Sequence, residues 1–198
     1  MKYRVNFILL FCLLFSTIFS EDNLLEKYIF KNISNIDNAQ FIYEDIIRFS
    51  NKYEIDPALI VSIMKVESSF NHNAISEKGA IGLMQIMPET AEELRIDPFN
   101  ISSNIEGGIR YFSKCLKLNN NDIALALASY NAGYSNVQKY ESIPPFIETD
   151  NYISEVLKIY TGSFNKKYIF NPVTFEESSF KFGDKNENRW IKWKNKKK

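Results

Sequence analysis

Cysteine is nearly missing from this chain. Of the two present, Cys12 falls inside an apolar run near the N-terminus and Cys115 stands alone in the body of the sequence. Removal of that run would leave one thiol, which excludes an internal disulfide and a cysteine-based metal site. A lone thiol at a helical position reads as a small buried hydrophobe, and nothing beside Cys115 activates it. Histidine is scarcer still, with His72 the only one. No His, Cys and Asp spacing forms a zinc site, and the seven glycines build no phosphate-cradling loop. Neither metal nor cofactor is expected. Net charge is absent too, since 24 basic residues balance 24 acidic ones.

That balance hides an uneven distribution. Met1–Ser20 reads as a secretory signal, with Lys2 and Arg4 at its start, an apolar run from Phe7 to Phe19 and the small Ser20 at a cleavage point. The run is shorter than the roughly 20 residues of a membrane span, and bulky Phe11 before Cys12 argues against lipidation. Without Lys2 and Arg4 the remainder holds 22 basic against 24 acidic residues. Lys185–Lys198 concentrates seven basic residues against one acidic, with Trp190 and Trp193 among them. The body is therefore acidic and the tail basic. Two readings of the tail stand: a solvated end, or attachment to anionic lipid headgroups or acidic wall polymers with tryptophan at the interface. Nucleic acid is not an expected partner of an exported chain.

The length of 198 residues suits one domain with a sizeable core. Its pattern is helical. Gln40–Lys52 carries Ile42, Ile46 and Phe49 on one face, and Asp56-Pro57 is a helix start with a capping side chain and proline at the first helical position. Pro88 opens a helix to Arg95, and Ile105, Ile109, Phe112 and Leu116 stripe another to Leu118, where Gly107 and Gly108 permit close packing. Asp122–Ala132 is apolar nearly all round, which predicts a buried helix stopped by Gly133. Ile153, Val156, Leu157 and Tyr160 mark the last helix. Residues 21–39 read as a short helix and linker, 40–163 as the domain and 164–198 as an extension. Tyr168–Phe182 is aromatic and leaves open an extended segment or a wrap around the domain.

One residue breaks the helical pattern. Ile60, Ile63, Met64 and Glu67 fall at i, i+3, i+4 and i+7, so a carboxylate shares a face with large apolar groups. Desolvation disfavours the ionised form, which suits a general acid of glycoside cleavage. The bland reading has Glu67 ending the helix in solvent. Twelve residues on, Gly79 to Pro88 mixes glycines and apolar residues with one amide, Gln85, a composition fit for a groove wall.

Here the chain resembles the lysozyme-like lytic transglycosylases of the soluble type. Four blocks carry the likeness, in order: Glu67-Ser68, then Gly82-Leu83-Met84-Gln85, then Tyr130-Asn131-Ala132-Gly133, then Glu148-Thr149 followed by Tyr152. Ser129 stands where the family has alanine. The likeness covers roughly residues 40–162 and implies an all-α, lysozyme-like domain with a substrate groove. It also implies a substrate, the peptidoglycan glycan strand, cut between N-acetylmuramic acid and N-acetylglucosamine with Glu67 as acid and base. Ser76 matches the serine that bonds the acetamide or the catalytic carboxyl. Gln85 and Met87 match residues that position the sugar, and Tyr130 one whose hydroxyl reaches the catalytic glutamate. Asn131 reads equally as a ligand contact or a helix-end amide, and Glu148 as a carboxylate at the base of the site or as the charge at a helix start. Without the likeness, Met87 would read as core and Ser76 as an ordinary loop hydroxyl. His72 lies at a position the motif does not require. A goose-type muramidase that hydrolyses the same bond, and a wall-binding protein without activity, are the alternatives. The expected product is an exported monomer, periplasmic or wall-associated.

The tail lies outside the likeness and offers no suitable acid or base. Truncation after Asp184 is expected to leave turnover of short soluble glycan strands intact. It should weaken sedimentation with insoluble wall or acidic liposomes, because each surface-adjacent Lys or Arg is worth about 1 kcal/mol at an anionic membrane. Retention of the full chain should also fall as salt rises. Equal sedimentation of both forms at low and high salt would identify the tail as a solvated end.

Overall fold

A computed structural model describes residues 24–167. The expected leader Met1–Ser20, the aromatic stretch Tyr168–Phe182 and the basic tail Lys185–Lys198 lie outside the described residues. Among those described there are eight helices and no strands, the mainly α class that the periodicity predicts. They are α1 (24–32), α2 (Ile36–Tyr53), α3 (Pro57–Ser68), α4 (Pro88–Leu94), α5 (Ile101–Leu118), α6 (Ile123–Ala132), α7 (Tyr134–Tyr140) and α8 (Ile147–Ser163). None is long and apolar enough to cross a membrane.

The described residues divide into two compact units. Residues 24–113 with 158–167 form the first and 114–157 the second, the divisions falling inside α5 and α8.

In the first unit the helix starts follow local chemistry. Asn35 accepts from the Asn38 N–H and sets the start of α2 at Ile36, four residues before the expected start at Gln40. Ahead of it lie the short helix α1 and the non-helical residues 33–35. Leu25 and Ile29 of α1 are 3% and 0% exposed, so this short helix belongs to the packed body. Asp56 uses one carboxylate oxygen to accept from the Ala58 N–H, 2.9 Å away, at the head of α3. Its other oxygen accepts from the Tyr160 hydroxyl at 3.0 Å and pairs with Lys166 at 3.3 Å. Phe164 is buried and stacks edge-on against Tyr28 with ring centroids 5.0 Å apart. Side-chain contacts thus continue through Lys166.

The stripe residues Ile42, Ile46, Ile60, Ile63, Met64, Ile105, Ile109 and Phe112 are all buried as their spacing predicts. Lys52 on α2 donates to Glu106 on α5 at 2.7 Å, and Tyr53 adds a second donor at 3.1 Å. The Lys52 ammonium holds the Glu106 carboxyl below its ordinary range.

In the second unit α6 is buried along most of its length, and α7 packs against it. The sequence gives no sign of α7. Gly133, at φ +87°, ends α6 as expected, but the chain re-enters a helix at once, and the seven residues of α7 bury only Val137. One buried side chain is too little for a periodic stripe.

Gly108 marks a close backbone approach in the first unit. A Cβ there would lie 2.5 Å from Cβ of Met84, so α5 and the Gly82–Gln85 segment meet backbone to side-chain base. Gly108→Ala should therefore force a backbone shift and cost about 1–3 kcal/mol. Urea denaturation is expected to show a lower midpoint at unchanged slope.

Candidate active site

Glu67 is the penultimate residue of α3 and is half-buried. Three residues before it, Met64 is fully buried, so the helix passes from core to partly exposed surface within its last turn. The chain then turns sharply, with Ser69 and Phe70 in the left-handed region at φ +51° and +65°. Glu67 is thus neither fully exposed nor buried.

The next segment folds back on α3. Ser68 donates its hydroxyl to the Leu83 carbonyl at 2.9 Å, which joins the first motif block to the second. Ile81 and Ile86 exchange reciprocal backbone hydrogen bonds of 3.0 and 2.9 Å and close a four-residue loop, Gly82 to Gln85. Gly82 sits at φ +77°, and a Cβ there would come within 2.5 Å of Asn104 Nδ2. Only glycine satisfies both conditions. Gln85 is itself left-handed at φ +47°. Its Nε2 donates to Gly82 O at 2.9 Å and Ala74 O at 3.3 Å. The carbonyls can only accept, so the amide nitrogen must face them and Oε1 is the atom left over.

Ser76 lies in the preceding turn, half-buried, and its hydroxyl accepts from the Ala80 N–H at 2.9 Å. This is the ordinary loop role, and it leaves the hydroxyl proton available to donate. Met87 caps α4 without a side-chain bond and is 36% exposed, so the core reading of that residue fails. Pro88 at the first helical position needs no N–H partner and fixes the turn out of the loop. His72 is half-buried in the turn after α3.

The second unit holds the other three residues. Tyr130 and Asn131 occupy the last turn of α6, both half-buried. Asn131 Oδ1 accepts from the Thr149 hydroxyl at 2.8 Å, and Thr149 is 1% exposed, so the third and fourth blocks are joined as the first and second are. Glu148 is exposed in the first turn of α8, where a carboxylate suits the positive helix end. Tyr152 is 7% exposed and packs. Glu67, Ser76, Gln85 and Met87 are thus gathered on one unit, and Tyr130, Asn131 and Glu148 on the other.

Residues 44–153, more than half of the chain, match the family model described as the transglycosylase SLT domain. The chain belongs to that family. A transglycosylase of Enterobacteria phage PRD1 is 36% identical over 92 residues, which are 46% of this chain and 34% of the phage protein. A membrane-bound lytic murein transglycosylase E of Buchnera aphidicola is 37% identical over 116 residues, covering 50% of this chain and 52% of that one. Among solved structures, the 70 kDa soluble lytic transglycosylase of Escherichia coli superposes with a TM-score of 0.55 at 27% identity, over 62% of this chain and 24% of that one. This chain therefore matches about half or less of the length of these relatives.

The SLT domain also explains its own departure from the motif. Ser129 is 0% exposed, and its hydroxyl accepts from Asn119 Nδ2 at 2.9 Å. The same amide donates to Cys115 O at 2.7 Å. Cys115 is 1% exposed, and burial pushes its thiol up to about 12, with Lys114 opposing weakly. That thiol is structural, as its isolation in the sequence predicts.

Sequence reasoning missed Asn104. This α5 residue is 1% exposed and donates Nδ2 to Ile81 O at 2.9 Å and to Pro98 O at 2.8 Å, while its Oδ1 accepts from the Met84 N–H at 2.9 Å. A polar residue inside the buried stripe of α5, one place before Ile105, was the available signal.

Proposed function

We propose that this SLT domain is a peptidoglycan lytic transglycosylase in which Glu67 acts as general acid and then as general base. The observation that carries the reading is the placement of Glu67. A half-buried carboxylate ends a helix whose next residue, Ser68, is bonded to the loop that orients Gln85.

The chemistry follows from what that carboxyl can do. Protonated Glu67 gives its proton to the glycosidic oxygen as the bond to the anomeric carbon breaks and the sugar gains oxocarbenium character. The motif blocks offer no second carboxylate as nucleophile, so the 2-acetamido oxygen of the muramic acid attacks its own anomeric carbon. Ionised Glu67 then takes the proton of the C6 hydroxyl, whose oxygen displaces the acetamide and closes a 1,6-anhydro ring. No water enters the balance. Gln85 Oε1 is an acceptor suited to a sugar hydroxyl or amide N–H, and Ser76 has a hydroxyl proton to offer. Met87 supplies an exposed apolar surface for a sugar ring. Tyr130, Asn131 and Glu148 are assigned to substrate binding through the motif.

The names of the relatives, murein transglycosylases among them, support a cell-wall substrate. An exported, periplasmic or wall-associated monomer, held at the wall through the basic tail, fits the leader and tail read from sequence. Hydrolysis by a muramidase of the same scaffold differs only in the acceptor of the glycosyl group.

Two measurements test the reading. Glu67→Gln should keep the helical spectrum and the thermal transition yet lose activity by at least roughly 10²–10⁴-fold, because an amide cannot donate the proton. Clearing of wall suspensions at a near wild-type rate would sink the assignment. Mass spectrometry of released muropeptides should show 1,6-anhydro ends, each lighter by one water than a hydrolytic product. Reducing ends as the main product would favour the muramidase.

A further inference from the structure

We propose that Asn104 is a positioning residue of this reaction, acting through the Ile81–Ile86 loop to hold Gln85 in register; the proposal rests on the lytic transglycosylase reading above. The carboxamide makes three hydrogen bonds, all to backbone groups. Two of them fall on the loop itself, at Ile81 O and the Met84 N–H. The third, to Pro98 O, ties the loop to the turn that enters α5. Gln85 follows Met84 directly and sits in a left-handed conformation that a residue with a Cβ adopts only when its surroundings over-determine it. Its Nε2 bonds to Gly82 O and Ala74 O fix the carboxamide plane only as long as the loop carbonyls stay in place. Gly82 completes the arrangement, since any side chain there would occupy the site of Asn104 Nδ2. Ser68 tethers the loop as well, from the α3 side.

A substitution separates the donor function from bulk. Asn104→Asp keeps an acceptor for the Met84 N–H but has no N–H to give, and it sets an anion against two carbonyl oxygens. Asn104→Ala removes all three bonds, and Asn104→Ser keeps one donor in the same space. Ile46→Ala, at a fully buried site on α2, is the control for stability loss alone.

All forms are compared in the full chain at a temperature where circular dichroism shows each folded, with kcat and KM measured on soluble glycan strands across pH and amide exchange followed at Met84 and Ile86. Asn104→Asp and Asn104→Ala are expected to lower kcat about 10- to 100-fold per folded molecule, since positioning errors of an ångström have effects of that size. KM should change less, the pH profile of kcat should keep its shape because Glu67 is untouched, and Asn104→Ser should recover part of the loss. Met84 should exchange faster in Asn104→Ala, and Ile46→Ala should stay within about twofold of wild type in kcat. Wild-type kcat in both Asn104→Asp and Asn104→Ala, an equal loss in Ile46→Ala, or failure of all three Asn104 variants to fold would overturn the proposal. A wild-type chain that releases reducing ends overturns the transglycosylase reading instead, and the same kcat comparison then decides Asn104 on hydrolysis. A wild-type chain without activity overturns both.

Discussion

A buried backbone loop has to satisfy its own polar groups, and most of the first unit is arranged around that constraint. The segment from Ile81 to Ile86 turns tightly in a place where Leu83 and Met84 are fully buried, so water cannot serve its N–H and C=O groups. An unmade hydrogen bond there would cost about 1–3 kcal/mol. The loop meets the demand from three directions: Ile81 and Ile86 pair with each other, Ser68 reaches in from α3, and Asn104 from α5. Each source restricts the sequence elsewhere. The asparagine requires a glycine at 82, and the depth of Met84 requires a glycine at 108.

The same economy places Glu67. Glu67 and Ser68 are neighbours with opposite tasks, one left half-buried at the end of α3 and the other committed to Leu83 O. Fixing Ser68 fixes the last turn of the helix, and with it the backbone from which the carboxylate projects. The left-handed residues Ser69 and Phe70 then carry the chain away within two positions, and Phe70 is buried at 5% exposure while packing edge-on to Tyr28. A carboxylate at the frayed end of an isolated helix would wander. Here both sides of that end are held.

What the sequence made legible and what it hid divide along a physical line. Periodic burial was readable: the stripes of α2 and α8 are buried residue for residue, as are Ile60, Ile63 and Met64 of α3 and Ile105, Ile109 and Phe112 of α5, while Leu116 is half-buried, and Asp56-Pro57, Pro88 and Gly133 begin or end helices where their chemistry predicts. The motif blocks were readable as a likeness, though not the bonds between them. Ser68 to Leu83 and Asn131 to Thr149 are tertiary, and no spacing rule announces which hydroxyl will meet which carbonyl. Helix α7 was hidden because one buried valine makes no stripe, and the early start of α2 because its first turn is exposed, with Ile36 at 70%. Met87 misled for the opposite reason. Hydrophobicity alone suggests core, yet its place just outside a helix beginning with proline leaves the side chain exposed.

Asn104, Asn119 and Asn131 show why amides were the hardest residues to read. Each is a polar side chain at or near a buried helix surface, where a sequence argument sees either an error in the stripe or a ligand contact. The structure gives all three the same task of bonding to groups from another part of the chain. An amide suits this because it donates and accepts at once without carrying charge, so its burial has no ionic desolvation term. Asn119 shows the consequence for sequence comparison. The hydroxyl of Ser129, where the family has alanine, would be an unpaired polar group at a fully buried position, but Asn119 bonds to it. A departure from a motif is harmless when a local partner absorbs it, and that partner can lie ten residues away in a segment that no motif describes.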